Sequence, residues 1–167
     1  MQKLGPPDSH HLDAAIGWLG LGSAEEARAE LAKLSAANQN HPDALEVRWT
    51  LCAHATRWSE ALKIAELELA AAPGDASGWL HRAYALRRVD KGGLPQAWDA
   101  LLPAAEKFPE EPVIAYNLSC YACQLQQIDL ARTWLQRAVK AGNKAAIKNM
   151  ALADDDLRPL WPEIKEL

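Results

Sequence analysis

One residue type recurs along this chain at a nearly constant interval. Ala27, Ala61, Ala97 and Ala131 are separated by 34, 36 and 34 residues. A period of about 34 residues is typical of arrays of helix–turn–helix repeats, in which each helix pair covers the apolar face of its neighbour. The period therefore predicts an all-α fold made of four antiparallel helix pairs.

The residues after each alanine repeat as well. Small or aliphatic residues mostly stand four and seven positions later, and together these are Leu31, Ala65, Leu101, Leu135, Leu34, Glu68, Ala104 and Ala138. Spacings of four and seven place side chains on one helical face. The second helix of each pair is thus expected to be amphipathic. Glu68 is the one member of the set that breaks the pattern.

A first helix is predicted before each of these segments, over about 9–21, 43–55, 76–89 and 112–125. Helix starts are marked by Pro42, Asp43, Asp75 and Pro112, which are capping or first-turn residues. Pro103 lies inside the third of the second helices, where a missing N–H should kink the helix. The chain thus alternates between two kinds of helix.

These repeats resemble the tetratricopeptide repeat family. The third copy carries the resemblance through Trp79, Arg82, Ala83, Leu86, Ala97, Leu101, Ala104 and Pro109, and the fourth through Ala115, Leu118, Ser119, Ala131, Leu135 and Ala138. The resemblance implies a right-handed superhelix in one domain over 1–167. Its repeats would span about 9–41, 42–75, 76–111 and 112–142.

The last segment, 143–167, looks like the ending of many bacterial arrays of this family. We expect a final helix over 144–150, followed by a cap that covers the open apolar face of the fourth repeat. Trp161 is the residue expected to plug that face. Asp154, Asp155 and Asp156 are interpreted as a capping turn or a solvated acidic patch, because they lack the alternating oxygen ligands of a calcium loop.

Charge and hydropathy exclude several classes of partner. The net charge of −4 disfavours nucleic acid, since phosphate binding needs a basic surface. No apolar stretch is long enough to span a membrane. The segment 1–7 lacks the apolar region of a secretory signal. We therefore expect a cytoplasmic protein with no nucleic-acid or membrane partner.

The chemistry of catalysis is missing from the sequence. No histidine is spaced from another histidine or a cysteine as a metal site would require, and no phosphate-binding loop or nucleophile elbow occurs. Cys120 and Cys123 form a CxxC, but it lies inside a predicted helix rather than at a helix start. We predict a non-enzymatic protein without cofactor or metal. Metal or redox chemistry at the CxxC is the less favoured alternative to a structural or groove-lining role.

The family resemblance also implies where a partner would bind. In tetratricopeptide arrays the first helix of each pair lines the concave groove, which here assigns Glu46, Thr50, His54, His81, Tyr84, Arg87, Arg88, Tyr116, Asn117, Cys120 and Gln124 to partner binding. Aromatic and guanidinium groups are typical of binding hot spots. Arg87 or Arg88 is expected either to pair with a ligand carboxylate or to bond the last carbonyls of its own helix. Tyr84 and Tyr116 are alternatively core residues.

The sequence thus predicts an adaptor that binds a peptide or a helix of a partner protein in its groove. Self-assembly is the main alternative. Ile16 and Leu19 make the first helix apolar, and an exposed apolar face can form a homo-oligomer.

Overall fold

The computed structural model describes residues 3–167, and all regular structure within that range is helical. Residues 1 and 2, which belong to the segment examined for a secretory signal, lie outside the described residues. The chain divides into two compact units, one ending at Ala85 and the other beginning at Leu86. The single-domain organisation inferred from the sequence stays a prediction.

The first unit is built from two helical hairpins followed by one further helix. α1 packs on α2 and α3 packs on α4. A short 3₁₀ helix, Ala36–Asn38, connects the two hairpins. The helices are α1 (Asp8–Gly20), α2 (Ala24–Ala32), α3 (Pro42–His54), α4 (Trp58–Ala71) and α5 (Ser77–Leu86), the last of which ends one residue beyond the boundary.

The second unit centres on the hairpin of α8 and α9, and the C-terminal segment packs on it. A 3₁₀ helix, Asp155–Leu160, separates its last two α-helices. The helices are α6 (Leu94–Leu101), α7 (Ala104–Lys107), α8 (Pro112–Gln124), α9 (Ile128–Ala141), α10 (Lys144–Leu152) and α11 (Trp161–Lys165).

Pro103 has a larger effect than the predicted kink. The segment expected as one helix is divided into α6 and α7, and Pro103 occupies the N-cap position of the shorter piece. Proline cannot donate the helical hydrogen bond, and its ring meets the carbonyl of the preceding turn. The helix therefore ends and begins again.

The four periodic alanines are all completely buried. The residues four and seven positions later, from Leu31 to Ala138, are buried as well, and each is at most 5% exposed. A methyl side chain at the first position allows a neighbouring helix to approach closely, and the larger side chains fill the space beside it. The helical face predicted from the spacing is thus confirmed, and it includes the charged residue Glu68.

The turns inside three hairpins share one backbone conformation. Gly22, Thr56 and Gln126 have φ values of 77°, 54° and 63°, in the left-handed region. In each turn, the N–H of the following residue donates at 2.9 Å to the carbonyl five residues earlier. This is the Schellman arrangement, which satisfies carbonyls left free at a helix end. The repeat is therefore visible in the backbone even where the residue is not glycine.

The C-terminal segment is anchored by aliphatic side chains. Leu157, Leu160 and Ile164 are buried in the second unit. Trp161, expected to be the plug, is only half-buried, and its indole N–H donates to the carbonyl of Ala151 at 2.9 Å. The expectation for Trp161 was wrong because the 3₁₀ helix turns Leu157 and Leu160 inward instead.

Candidate partner-binding site

The predicted binding residues of the first unit lie on α3 and α5. Glu46, Thr50 and His54 follow one another at intervals of four on α3, so they form one row along the helix. The side chains of Glu46 and His54 are exposed, whereas Thr50 is half-buried and donates its hydroxyl to the carbonyl of Glu46 at 3.0 Å. This row offers a carboxylate and an imidazole to solvent.

His81 on α5 is held between two residues of the same unit. Its ring stacks on that of Trp49, with ring centroids 3.8 Å apart and an angle of 8° between the planes. Its Nδ1 lies 2.7 Å from Oε2 of Glu68, which is 4% exposed. His81 therefore joins α5 to α3 and α4, and its contact with a partner stays a prediction.

Tyr84 remains accessible beside these rings. It is 38% exposed, and its ring lies 5.8 Å from both Trp49 and Trp58. The contact with Trp49 is edge-to-face, a favoured geometry for aromatic pairs. Tyr84 is thus supported from below by aromatic side chains and presents its outer part to solvent.

In the second unit, the predicted binding residues contact an acidic turn of the same chain. The two terminal nitrogens of Arg87 donate to the two carboxylate oxygens of Asp156, with the Nη2–Oδ1 bond at 2.9 Å. The guanidinium also lies 5.7 Å from the centroid of the Tyr121 ring. Hydrogen bonding to Asp156 raises the pKa of Arg87. The bidentate contact expected with a ligand carboxylate is made here with an internal one.

The helix α8 holds the other side of this turn. Oδ2 of Asp154 accepts from the Tyr116 hydroxyl at 2.9 Å and from the Cys120 thiol at 3.5 Å. The Gln124 side chain donates to the carbonyl of Asp156 at 3.1 Å. Asp154 also accepts from the backbone N–H of Asp156 at 3.0 Å, which caps the 3₁₀ helix. The turn is therefore a cap, as one of the two interpretations held.

Two further predicted residues have less defined surroundings. Asn117 donates to the carbonyl of Val113, one turn earlier on α8, at 2.9 Å. Arg88 is half-buried. The partner contacts assigned to both residues stay predictions.

The environment of the CxxC disfavours thiol chemistry. Cys120 and Cys123 are buried in the middle of α8. Burial raises the pKa of both thiols, and the nearby Asp154 and Asp156 carboxylates raise them further. A reactive cysteine needs a lowered pKa and access to solvent. Neither thiol is activated here.

The same place is the one group of potential metal ligands among the described residues. One donor atom each of Cys120, Asp154 and Asp156 lies within 4.8 Å of the others. Asp156, however, already faces the Arg87 guanidinium with both oxygens, and Asp154 accepts three hydrogen bonds. The carboxylates are engaged by donors of the chain itself, so the group does not fit a metal site.

Four important residues were missed as site residues by the sequence analysis. Trp49, Glu68, Asp154 and Asp156 position the predicted residues. Glu68 had left a signal, because a carboxylate at an otherwise apolar position of the repeat needs a buried partner. Asp154 and Asp156 left no such signal in the sequence, since the contacts of the acidic turn with α8 are set by tertiary packing.

Comparison with known proteins supports the fold. No protein-family model and no curated protein matches the chain. Solved structures of MamA do match. MamA from residue 41 to its end, from Desulfovibrio magneticus RS-1, is 17% identical with a TM-score of 0.69, and the match covers 99% of this chain and 97% of that chain.

Two further MamA structures give the same result. A crystal structure of MamA is 16% identical with a TM-score of 0.68, over 98% of this chain and 90% of that one. The RS-1 ArsTM double mutant of MamA is 20% identical with a TM-score of 0.67, and the match covers 81% of this chain and 75% of that one.

This chain has the MamA-type helical-repeat fold. The expected all-α, tetratricopeptide-type architecture is thereby confirmed at the level of fold. Among residues 3–167, no helix combines the length and the apolar character that a membrane span would need.

Proposed function

We propose that this protein is a non-enzymatic adaptor of the tetratricopeptide repeat family. Its first unit binds a segment of a partner protein along α3 and α5. The cytoplasmic location expected from the sequence belongs to this proposal. The three cysteines, all buried as free thiols, agree with a reducing compartment.

The observation that carries the proposal is the exposed ring of Tyr84. Large aromatic side chains on rigid support are enriched in binding hot spots, because they bury much area at little conformational cost. Trp49 and Trp58 provide that support. Beside it, the row of Glu46 and His54 offers hydrogen-bonding groups that suit a peptide. The combination of an aromatic anchor and a polar margin is typical of protein interfaces.

The second unit supports this choice of surface. Arg87, Tyr116, Cys120 and Gln124 already bind the turn that contains Asp154 and Asp156. A partner at that place would have to displace charge-assisted hydrogen bonds, which are the stronger kind. The corresponding surface of the first unit carries no such internal segment among the described contacts. We therefore place the partner on the first unit.

A peptide-display selection against the full chain tests the proposal. Selected peptides should bind the wild type, and Tyr84→Ala should weaken the binding at least about tenfold, the effect of removing a hot spot. Leu67→Ala is the matched control, because Leu67 is exposed on α4, a helix that carries none of the predicted binding residues. A loss of binding in Leu67→Ala but not in Tyr84→Ala would contradict the proposal, as would a selection that yields no specific peptide.

A second candidate function is self-assembly through the first hairpin. Trp18 and Leu21 are exposed three residues apart at the end of α1, so they share one face. Ile16 is exposed on the same helix, whereas Leu19, which was also expected on this surface, is half-buried against the core. Light scattering over a concentration series tests this candidate. A mass that rises in the wild type and stays monomeric in Leu21→Ser would support it.

A further inference from the structure

A cavity in the first unit is lined by three arginines. It measures about 340 Å³ and lies between α2, the segment that leads into α3, α3 itself and α4. Arg28 comes from α2 and Arg48 from α3, and Arg57 immediately precedes α4. Glu60 is the one acidic residue among the described residues of the lining. The cavity is therefore positively charged, although the chain as a whole has a net charge of −4.

Arg48 is a half-buried cation without a counter-charge. Its guanidinium donates to the carbonyl of Gln39 at 2.8 Å, to the side-chain oxygen of Gln39 and to the carbonyl of Leu31 at 3.5 Å. These acceptors are all neutral, and no carboxylate among the described residues pairs with Arg48. Burial lowers the pKa of Arg48, as expected for a cation that is removed from water without an opposite charge. A guanidinium has more N–H donors than these bonds use, so donors remain for an anion.

The position of Arg48 is fixed by the chain itself. Gln39 accepts from it through both its backbone and its side-chain oxygen, and the side-chain nitrogen of Gln39 donates to the carbonyl of Leu34 at 2.6 Å. A side chain held in this way loses little conformational entropy when it meets a ligand. Arg48 is nevertheless accessible, because it is only half-buried and lines the cavity.

The charges of the cavity favour a doubly charged ligand. Arg57 is paired with Glu60, whose carboxylate oxygen lies 3.2 Å from the guanidinium. Arg28 is exposed and forms no hydrogen bond or ion pair with the described residues. The guanidinium groups of Arg28 and Arg48 therefore both lack a carboxylate. A phosphate monoester carries about two negative charges at neutral pH on one compact group, and arginine binds such a group through paired hydrogen bonds.

The remaining lining and the size of the cavity indicate a small ligand with an apolar part. Ala32 and Ile64 present accessible apolar surface in the same cavity. The volume lies near the lower end of the range of roughly 300–1,000 Å³ that is usual for small-molecule sites. An organic phosphate with a short apolar group suits both the lining and the volume.

We propose that this cavity binds a small organic phosphate monoester. Its phosphate accepts hydrogen bonds from Arg48 and Arg28. Its apolar group packs on Ala32 and Ile64. The sequence contains no phosphate-binding loop that would signal such a site, because the arginines come from separate segments of the chain.

The cavity is separate from the surface proposed for the partner. Arg48 stands two positions after Glu46 and two before Thr50, and residues two positions apart on a helix do not face the same side. The row on α3 and the cavity therefore use different faces of this helix. Binding in the cavity does not require the adaptor function.

The test titrates n-butyl phosphate into the full chain and measures its affinity by calorimetry. We expect saturable binding that Arg48→Gln weakens at least about tenfold. Arg28→Gln, at an exposed position, should weaken it about threefold or more. Lys63→Gln is the matched control, because Lys63 is exposed on α4 outside the lining and the change removes the same charge. This control should bind like the wild type.

Three related compounds test the chemical class of the ligand. Pentanoate has a single negative charge, n-butanol has none, and inorganic phosphate lacks the apolar group. Each should bind at least about fivefold more weakly than n-butyl phosphate. Equally tight binding of pentanoate or n-butanol would contradict recognition of a phosphate. Equally tight binding of inorganic phosphate would contradict the role of the apolar group.

The exposed variant keeps the test valid if Arg48→Gln does not fold. The Arg28 side chain makes no hydrogen bond or ion pair with the described residues, so its replacement should leave the fold intact. No binding of n-butyl phosphate to the wild type, or equal binding by the wild type, Arg28→Gln and Lys63→Gln, would overturn the proposed site. Peptide binding that depends on Tyr84 is measured separately, so failure of this cavity and failure of the adaptor are distinguishable.

Discussion

The guanidinium of Arg87 is bound by both carboxylate oxygens of Asp156, which follows 69 residues later in the chain. About a fifth of each side chain is exposed, so the pair is mostly shielded from water. A carboxylate arriving from a partner had been expected at this place. The chain fills it with its own C-terminal turn, which is one reason why the partner site is proposed on the first unit.

Removing one member of this pair should destabilise the protein. Asp156→Asn leaves a largely buried guanidinium without its counter-charge, and we expect the free energy of unfolding to fall by about 1–3 kcal/mol. Denaturation by urea measures the change. Asp155→Asn is the control, because Asp155 pairs with Arg158 at an exposed position and should change stability by less than about 0.5 kcal/mol. Equal effects of the two changes would contradict the internal-cap role.

The periodic alanines should not tolerate larger side chains. Ala61→Leu and Ala131→Leu insert three carbons into fully buried positions, and each should cost about 1–3 kcal/mol or more of stability. Thermal unfolding followed by circular dichroism measures the loss. Ala71→Leu provides the comparison, because Ala71 is exposed on the same helix as Ala61. If the variants with a buried leucine and the variant with an exposed leucine had the same melting temperature, the close packing around the periodic alanines would be contradicted.

The left-handed turn residues offer a stabilising change. Gln126 adopts a φ of 63°, which costs a residue with a side chain about 1 kcal/mol. We therefore expect Gln126→Gly to raise the free energy of unfolding by roughly that amount. The neighbouring change Gln127→Gly should lower the free energy of unfolding instead. Gln127 has a φ of −94°, so glycine relieves no strain there and only increases the backbone entropy of the unfolded chain. The opposite signs in one urea series are the diagnostic result.

The periodicity made the helices predictable from the sequence. Contacts between residues far apart in the chain were not predictable. The spacing of Ala27, Ala61, Ala97 and Ala131 fixes which helical faces are buried, so fold class and helix bounds follow closely. The left-handed conformation of Thr56 and Gln126 was not predicted, because glycine is the main sequence signal for a left-handed turn. The pairing of Glu68 with His81, and of Arg87 with Asp156, depends on which helices become neighbours. Residue types in one sequence do not encode that directly.

The two cysteines of the CxxC should be inert in the folded protein. Burial raises the pKa of Cys120 and Cys123, so little thiolate forms near about pH 8. We expect a thiol reagent such as dithionitrobenzoate to label both only as fast as the protein opens. Full labelling in denaturant provides the reference. Rapid labelling of the native protein at either cysteine would support the alternative of thiol chemistry.

Acid should weaken the first unit through Asp8. Hydrogen bonds from the Ser35 hydroxyl, the Asn38 amide and the Ser35 backbone lower the pKa of this carboxyl. Because the pKa is lower in the folded than in the unfolded chain, the Asp8 carboxylate stabilises the folded protein at pH values above its unfolded pKa of about 3.9. That stabilisation is lost as the pH falls through the folded-state pKa. Melting temperatures below about pH 4 should thus fall less steeply for Asp8→Asn than for the wild type. Asp13→Asn, exposed on the same helix, should follow the wild type.

The location of the partner site is the central claim, and an NMR titration tests it most directly. A peptide from the display selection is added to the isotope-labelled full chain, and the amide shifts are mapped onto the helices. We predict that the shifts concentrate on α3 and α5, around Glu46, Thr50, His54, His81 and Tyr84. Shifts concentrated on α8 and around Asp154 and Asp156 would contradict the account, since the peptide would then have displaced the internal cap.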